Sequence, residues 1–168
     1  LTDEGDSLTV NTSAKIDKRI ENDQMTDTHT IIVGGGGAGF MTANQLRHTG
    51  YGGKITLISA DDKAPYNRPL LSKAFLAGKM DEQHLMLGGA DWASKNNIDM
   101  HLNQTVSAVL PNECTIVMKD KNGHIEQHTA DFLVVATGAE PKIPPFKGTE
   151  LEGVYTLRSM DDAKDIKA

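Results

Sequence analysis

The sequence predicts an α/β fold built on a parallel sheet, with an antiparallel β-meander inserted before the sheet resumes. Three observations carry this. First, the β-branched run "HTIIV" (residues 29–33) is followed by glycines, a helix-like run and a second apolar run, "KITLIS" (54–59). That order is a β-α-β unit of about thirty residues. Second, the short runs "TVSAVLP", "CTIVMKD" and "HIEQHT" between residues 105 and 130 are separated by "PNE" and "KNGH", where Asn122-Gly123 signals a hairpin turn. Third, "DFLVVATG" (131–138) reads as a buried parallel strand ending in small residues.

The elements follow in order. Residues 1–28 are polar and read as a tail or linker, with one short helix around 14–21 and Met25 as an internal start site. The remainder, 29–168, reads as one domain. After the first strand, Phe40, Ala43, Leu46 and, less strongly, Met41 give helical spacing that ends near Gly50. "DDKAPYNRP" (61–69) is a proline-pinned loop. Short helical segments are expected over 70–77 and 90–97, and a strand at "IDMHLN" (98–103). Beyond the meander and "DFLVVATG", the proline-rich "AEPKIPPFKG" (139–148) is an ordered loop, and "GVYTLRS" (153–159) is a brief extended piece. The last helix starts with Ser159 as N-cap and Asp162 at the third helical position. The chain opens on Leu1 and closes on Ala168 within that helix, so both ends read as cuts in something larger.

Bulk properties exclude several classes. The 168 residues suffice for one domain with a real core. A net charge of −6 argues against a nucleic-acid partner. No apolar run reaches membrane-spanning length, and no signal-peptide pattern opens the chain. Cys114 is the only cysteine, which leaves no intrachain disulfide and no Cys-x-x-Cys pair. That points to a reducing, cytoplasmic setting, with a mitochondrial one left open. The six histidines form no metal constellation: His124 and His128 share a strand face without a third ligand nearby. Cys114 reads as a small apolar residue and Trp92 as core.

Chemistry concentrates at the glycines. Gly34, Gly36 and Gly39 satisfy G-x-G-x-x-G between a strand and a helix, with a second strand beyond. Gly34 permits the tight turn, Gly36 lets a pyrophosphate approach the backbone, and Gly39 lets helix and strand pack closely. Gly35 and Gly37 are spare in this pattern. The helix N-terminus offers N–H groups and a positive dipole end to phosphates. This favours a dinucleotide site over a plain turn and does not by itself separate FAD from NAD(P) or from other nucleotides. An acid is expected after the second strand to bind ribose. The strand ends "LISADD", so Ser59 and Ala60 stand where the acid is sought first, and Asp61 and Asp62 come slightly late. Asp62 reads equally as part of a solvated turn, and Asp61 less so.

Two further stretches are site-like. In "PYNRPLLSK" (65–73) the prolines restrict the loop, so that Arg68 or Lys73 faces a phosphate or flavin, or else both are surface cations behind a Pro69 helix start. "VVATGAEP" places Thr137 and Gly138 at the carboxyl end of a parallel strand, where open α/β sheets bind ligands.

Together, "IIVGGGGAGFMTANQLRHTGYGGKITLIS", "PYNRPLLSK", "VVATGAEPKIPP" and "GVYTLRSMDDAKDI" resemble the FAD-dependent pyridine-nucleotide oxidoreductases. Within that family they resemble the branch of ferredoxin, rubredoxin and putidaredoxin reductases and apoptosis-inducing-factor-like proteins. The resemblance spans residues 30–168, and "PYNRPLLSK" is its most specific part. It implies a glutathione-reductase-like, Rossmann-like FAD-binding domain, incomplete at its C-terminus. It implies that Gly34, Gly36, Ala38 and Gly39 hold the pyrophosphate and that Asp61 substitutes at the ribose. Lys73 would approach the flavin as the catalytic residue, supported by Arg68. Val106 would flank the adenine, Thr137 and Gly138 would lie along the cofactor, and Arg158 would contact FAD. The sequence departs from the family at Ala60, where many relatives carry the ribose acid, at Asn67, where Asp is common, and at Leu70, where Pro or Lys is common. The lack of a Cys-x4-Cys pair after the first helix sets it apart from the disulfide reductases.

The implied activity is electron transfer from NAD(P)H through FAD to an acceptor such as a ferredoxin-type iron–sulfur protein. A flavoprotein acting mainly through protein partners is the alternative. "LTVNTSAKIDKRIENDQM" (8–25) is similar to the link that joins a Rieske domain to such flavoproteins, so a fused Rieske domain is a second candidate partner. NAD(P)H would bind mainly outside this chain, because the family's second G-x-G-x-x-G, its later Gly-Asp motif and its interface domain are not in it. This chain alone is expected to be inactive.

Overall fold

A computed structural model describes residues 25–119 and 123–168. The predicted short helix at 14–21, most of the predicted tail and Asn122 lie outside the described residues. The described turn residue Gly123 has φ +82°, the backbone that an Asn-Gly hairpin needs.

Four strands form a parallel sheet in the order β3-β2-β1-β7: β1 (His29–Val33), β2 (Lys54–Ile58), β3 (Ile98–His101) and β7 (Phe132–Val135). A second, antiparallel sheet holds β4 (Thr105–Leu110), β5 (Thr115–Lys119) and β6 (Ile125–Thr129), with a register shift between Val106 and Ala108. The helices are α1 (Gly37–His48), α2 (Glu82–Leu85), α3 (Trp92–Lys95) and α4 (Met160–Lys167). None of the described helices is long and apolar enough to cross a membrane.

The period of two along a strand explains the layers. In β1, Ile32 faces one side with Ile55 and Leu57 of β2, where Phe40 and Ala43 of α1 and Trp92 of α3 pack on them. Ile31 and Val33 face the other side with Ile58, against Ile116 and Met118 of the meander. Both faces are covered, so the strand reads as a continuous apolar run. The rings of Phe40 and Trp92 lie 4.5 Å apart, which bears out the core reading of Trp92. A third cluster joins Tyr66, Leu71, Phe75 and Leu85 to Met160 and Ala163 of α4. Met25 packs on the first cluster, and the Thr28 carbonyl accepts the Lys54 N–H at 2.8 Å. The end of the expected tail therefore sits on the domain.

Several expectations change. β7 is parallel as predicted but not buried: Phe132 is 45% and Val135 59% exposed, and among the described residues only β1 pairs with it. The helical stretch predicted over 70–77 is a 3-10 turn (Arg68–Leu70) running into a π-helix (Leu71–Phe75). Pro69 lies inside the 3-10 turn, where its missing N–H costs little. The segment predicted over 90–97 contracts to α3. "GVYTLRS", expected as a brief extended piece, lies between β7 and α4 outside any strand or helix of the described residues. Cys114, read as a small apolar residue near a strand start, is half-buried immediately before β5 and closes the turn there in the left-handed region, at φ +45°. The α4 capping box forms as predicted, with Ser159 and Asp162 exchanging hydrogen bonds.

Candidate functional site

The site is assembled at the carboxyl ends of β1, β2 and β7. Gly34 continues β1, and its N–H donates to the Ile58 carbonyl at 2.8 Å. Its φ of +120° suits glycine, and a Cβ there would lie 2.2 Å from the Ala136 carbonyl oxygen. A Cβ on Gly39 would lie 1.9 Å from the Gly34 oxygen, so the predicted close packing of helix on strand is real. Gly35 is not spare: a Cβ there would meet the Ser59 hydroxyl at 2.5 Å. Gly37 is spare, with open space around it.

Gly36 differs from Gly34, Gly35 and Gly39. A Cβ there would find only the Arg68 guanidinium, at 3.9 Å. Its backbone is extended (φ −81°, ψ −173°), a region any residue adopts. Glycine at 36 is therefore required by neither fold nor backbone, and what it keeps clear is a cleft. No side chain caps α1, and its first turn carries no acid, so its leading N–H groups and dipole are offered to an anion.

The cleft has a volume of about 320 Å³ and is lined by residues 34–36, 59–61, 104–106, Arg68, Thr137, Glu140 and Arg158. A polar hollow of about 580 Å³ continues from it past Asp62 and Asn103. A larger concavity, about 870 Å³ between the π-helix and α4, lies away from the glycine loop.

Of the predicted site residues, Gly34, Gly36, Asp61, Arg68, Val106, Thr137 and Arg158 line the cleft. Ala38 is exposed in the first turn of α1. Gly138 follows Thr137 with φ +74°, and a Cβ on it would lie 3.9 Å from Arg158. Lys73 is exposed on the π-helix and is not among the cleft-lining residues. Sequence reasoning missed Ser59, Gln104 and Glu140 as lining. Gln104 reaches the site because its N–H donates to the Ser59 carbonyl at 2.9 Å. The available signal was position, since each follows or nears the carboxyl end of a parallel strand.

Asp61 is less available than expected. Its carboxylate accepts from the Tyr66 hydroxyl at 2.9 Å and the Lys63 N–H at 3.1 Å, with Arg68 at 3.9 Å. A carboxylate has about four lone-pair sites, so capacity remains for a ribose hydroxyl. The Tyr66 oxygen also accepts the Met160 N–H at 3.0 Å, and burial pushes its phenol pKa up. Tyr66 thus ties the proline loop, the end of β2 and the start of α4 together. The loop is fixed from its other side too: the Asn67 N–H donates to Leu85 at 2.9 Å and the Leu87 N–H to Pro65 at 2.8 Å.

Arg158 is placed by the α4 cap. The Asp162 carboxylate accepts from the Arg158 and Ser159 N–H groups, each at 2.8 Å. Burial alone would raise the Asp162 pKa, but these N–H groups outweigh it and hold it below the ordinary value. The guanidinium donates to the Thr137 carbonyl at 3.3 Å and pairs with Glu140. The cleft thus combines an open glycine backbone, an uncapped helix N-terminus and two arginines. This donor set fits the pyrophosphate of a dinucleotide. Among the described residues no cluster of His, Cys, Asp and Glu could hold a metal ion.

Residues 28–168 match the family model described as pyridine nucleotide-disulphide oxidoreductase. The chain belongs to the pyridine nucleotide-disulphide oxidoreductase family. This member is 39% identical over 139 residues to the chlorobenzene dioxygenase ferredoxin reductase component of Cupriavidus sp. (strain PS12), covering 83% of this chain and 33% of that protein. It is 38% identical over 137 residues to a rubredoxin-NAD(+) reductase of Pseudomonas putida, covering 82% of this chain and 34% of that protein. Its fold matches putidaredoxin reductase, in the crystal structure of its covalent complex with putidaredoxin, at a TM-score of 0.74 and 30% identity, over 84% of this chain and 34% of that one. This family member thus spans about a third of the length of the relatives it matches.

Proposed function

We propose that this chain is the FAD-binding segment of an NAD(P)H-dependent oxidoreductase that delivers electrons to a small iron–sulfur protein. The single observation that carries the reading is Gly36: a glycine that the fold does not require, open onto a cleft flanked by Arg68 and Arg158. The relatives are named for reductases acting with ferredoxin or rubredoxin, which favours electron transfer over a role mainly in partner binding.

The chemistry supplied by bound flavin is acceptance of hydride from reduced nicotinamide and release of electrons one at a time. The chain's own residues bind and orient. The backbone at Gly36, Ala38 and Gly39 and the α1 N-terminus receive the pyrophosphate, Gly34 makes the turn that opens the loop with its own N–H held by Ile58, and Arg68 and Arg158 balance the charge. Asp61 accepts a ribose hydroxyl, and Val106 flanks the adenine. Thr137 and Gly138 leave room for the cofactor beyond the phosphates. Lys73, exposed on the π-helix and outside the cleft lining, would supply an ammonium to the flavin.

The test is the visible spectrum of the intact protein after purification. Flavin absorbance that bleaches on adding NADH or NADPH and returns when an oxidised [2Fe–2S] ferredoxin is supplied is the expected result. A colourless, folded protein that binds no FAD on reconstitution overturns the reading. Lys73→Ala is expected to keep both fold and flavin while slowing bleaching about tenfold, roughly 1.4 kcal/mol on the barrier. Unchanged bleaching would remove Lys73 from the mechanism.

A further inference from the structure

Each arginine at the cleft faces a carboxylate, and the two carboxylates are held differently. Asp61 is fixed by Tyr66 and Lys63, and its side chain is 17% exposed. Glu140, in the turn after β7, is 84% exposed, and among the described residues only Arg158 holds it. Arg158 does not depend on Glu140 for its place, because its N–H is held by Asp162 and its guanidinium by the Thr137 carbonyl.

A pyrophosphate reaching Gly36 enters a cleft lined by both Glu140 and Arg158. Phosphate and carboxylate oxygens use the same planar fork of N–H donors. An exposed ion pair contributes little, so Glu140 loses little by leaving. Remaining would crowd two anions onto one guanidinium. We propose that Glu140 is a displaceable internal anion that competes with the dinucleotide phosphates for Arg158 and lowers the affinity of the site for its cofactor. This rests on the dinucleotide reading of the cleft. The turn after β7 thereby sets how tightly FAD is held, through charge and not shape.

The experiment uses the intact protein stripped of flavin. FAD binding is titrated calorimetrically for wild type, Glu140→Gln and Glu140→Asp at low and high ionic strength, with thermal melts to confirm folding. Glu140→Gln is expected to bind FAD about threefold more tightly at low salt, roughly 0.7 kcal/mol, the size an exposed ion pair can contribute. The gain shrinks as salt screens the competing charge, and Glu140→Asp, which keeps the charge, stays near wild type. Unchanged or weaker binding by Glu140→Gln overturns the proposal while leaving the FAD site standing, and so does a gain equal at all salt concentrations. If folded wild type and Glu140→Gln both fail to bind FAD, the dinucleotide reading fails and the competition falls with it.

Discussion

At the scale of single residues, the four consecutive glycines separate into different jobs. Gly34 and Gly35 exist for the fold, and Gly36 keeps the cleft open. Gly36→Val is therefore expected to fold with a stability within about 1 kcal/mol of wild type yet lose its flavin, since its branched side chain would occupy the phosphate approach. Gly35→Ala and Gly39→Ala should instead destabilise by roughly 1–3 kcal/mol or more, because their Cβ atoms meet Ser59 and the Gly34 backbone. Melting temperature and flavin content, measured together, separate the two behaviours. Tyr66→Phe removes a donor to Asp61 and an acceptor for the Met160 N–H, and should cost about 1–3 kcal/mol on denaturant unfolding. The pattern of glycines was visible in the sequence. Which of them faced the open cleft and which faced protein was not, because Ser59 and Ala136 meet the loop only in space.

Among the elements, α1 is held at its C-terminal end by Arg47. Its guanidinium donates to the carbonyls of Asn96 (2.8 Å), Tyr51 (2.7 Å), Gly53 (2.8 Å) and Asn97 (2.8 Å). This clamp fixes α1 to the starts of β2 and β3. Arg47→Met keeps the aliphatic stem and leaves these carbonyls without their charged donor, so a loss of roughly 3 kcal/mol is expected on unfolding. Nothing in "QLRHTG" marks that arginine, since its partners lie up to fifty residues away. The strand β1 carries a pH dependence through His29. Its imidazole meets the Thr56 hydroxyl at 2.9 Å, and burial, aided by Lys54, lowers its pKa below 6.5 against the pull of Asp131 and Asp99. The unfolded chain then binds the proton more readily. The stability that His29 contributes is complete above about pH 6.5 and is lost as pH falls through the lowered value. His29→Gln should flatten this limb of stability against pH, and an unchanged limb would rule the histidine out.

For the whole molecule, the sheet with α1 on one face and the meander on the other brings chain segments more than a hundred residues apart to one cleft. Gly36 and Arg158 meet there because β7 returns beside β1 and α4 is pinned to the proline loop by Tyr66. A dinucleotide spanning these segments would bind only the folded chain. FAD at a hundred times its Kd is expected to raise stability by about 2.7 kcal/mol, read as a higher melting temperature of the loaded protein than of the stripped one. The sequence by itself determined the β-α-β unit, the meander, the α4 capping box and the glycine loop. Each of these is written in local periodicity, turn residues or cap residues within a few positions of one another. Only the tertiary structure decided that β7 leaves a side exposed, that the "PLLSK" stretch coils as 3-10 and π, that Gly35 serves Ser59, and that Glu140 stands at Arg158. Those outcomes depend on which distant backbones and charges come into contact, and that is settled when the layers pack.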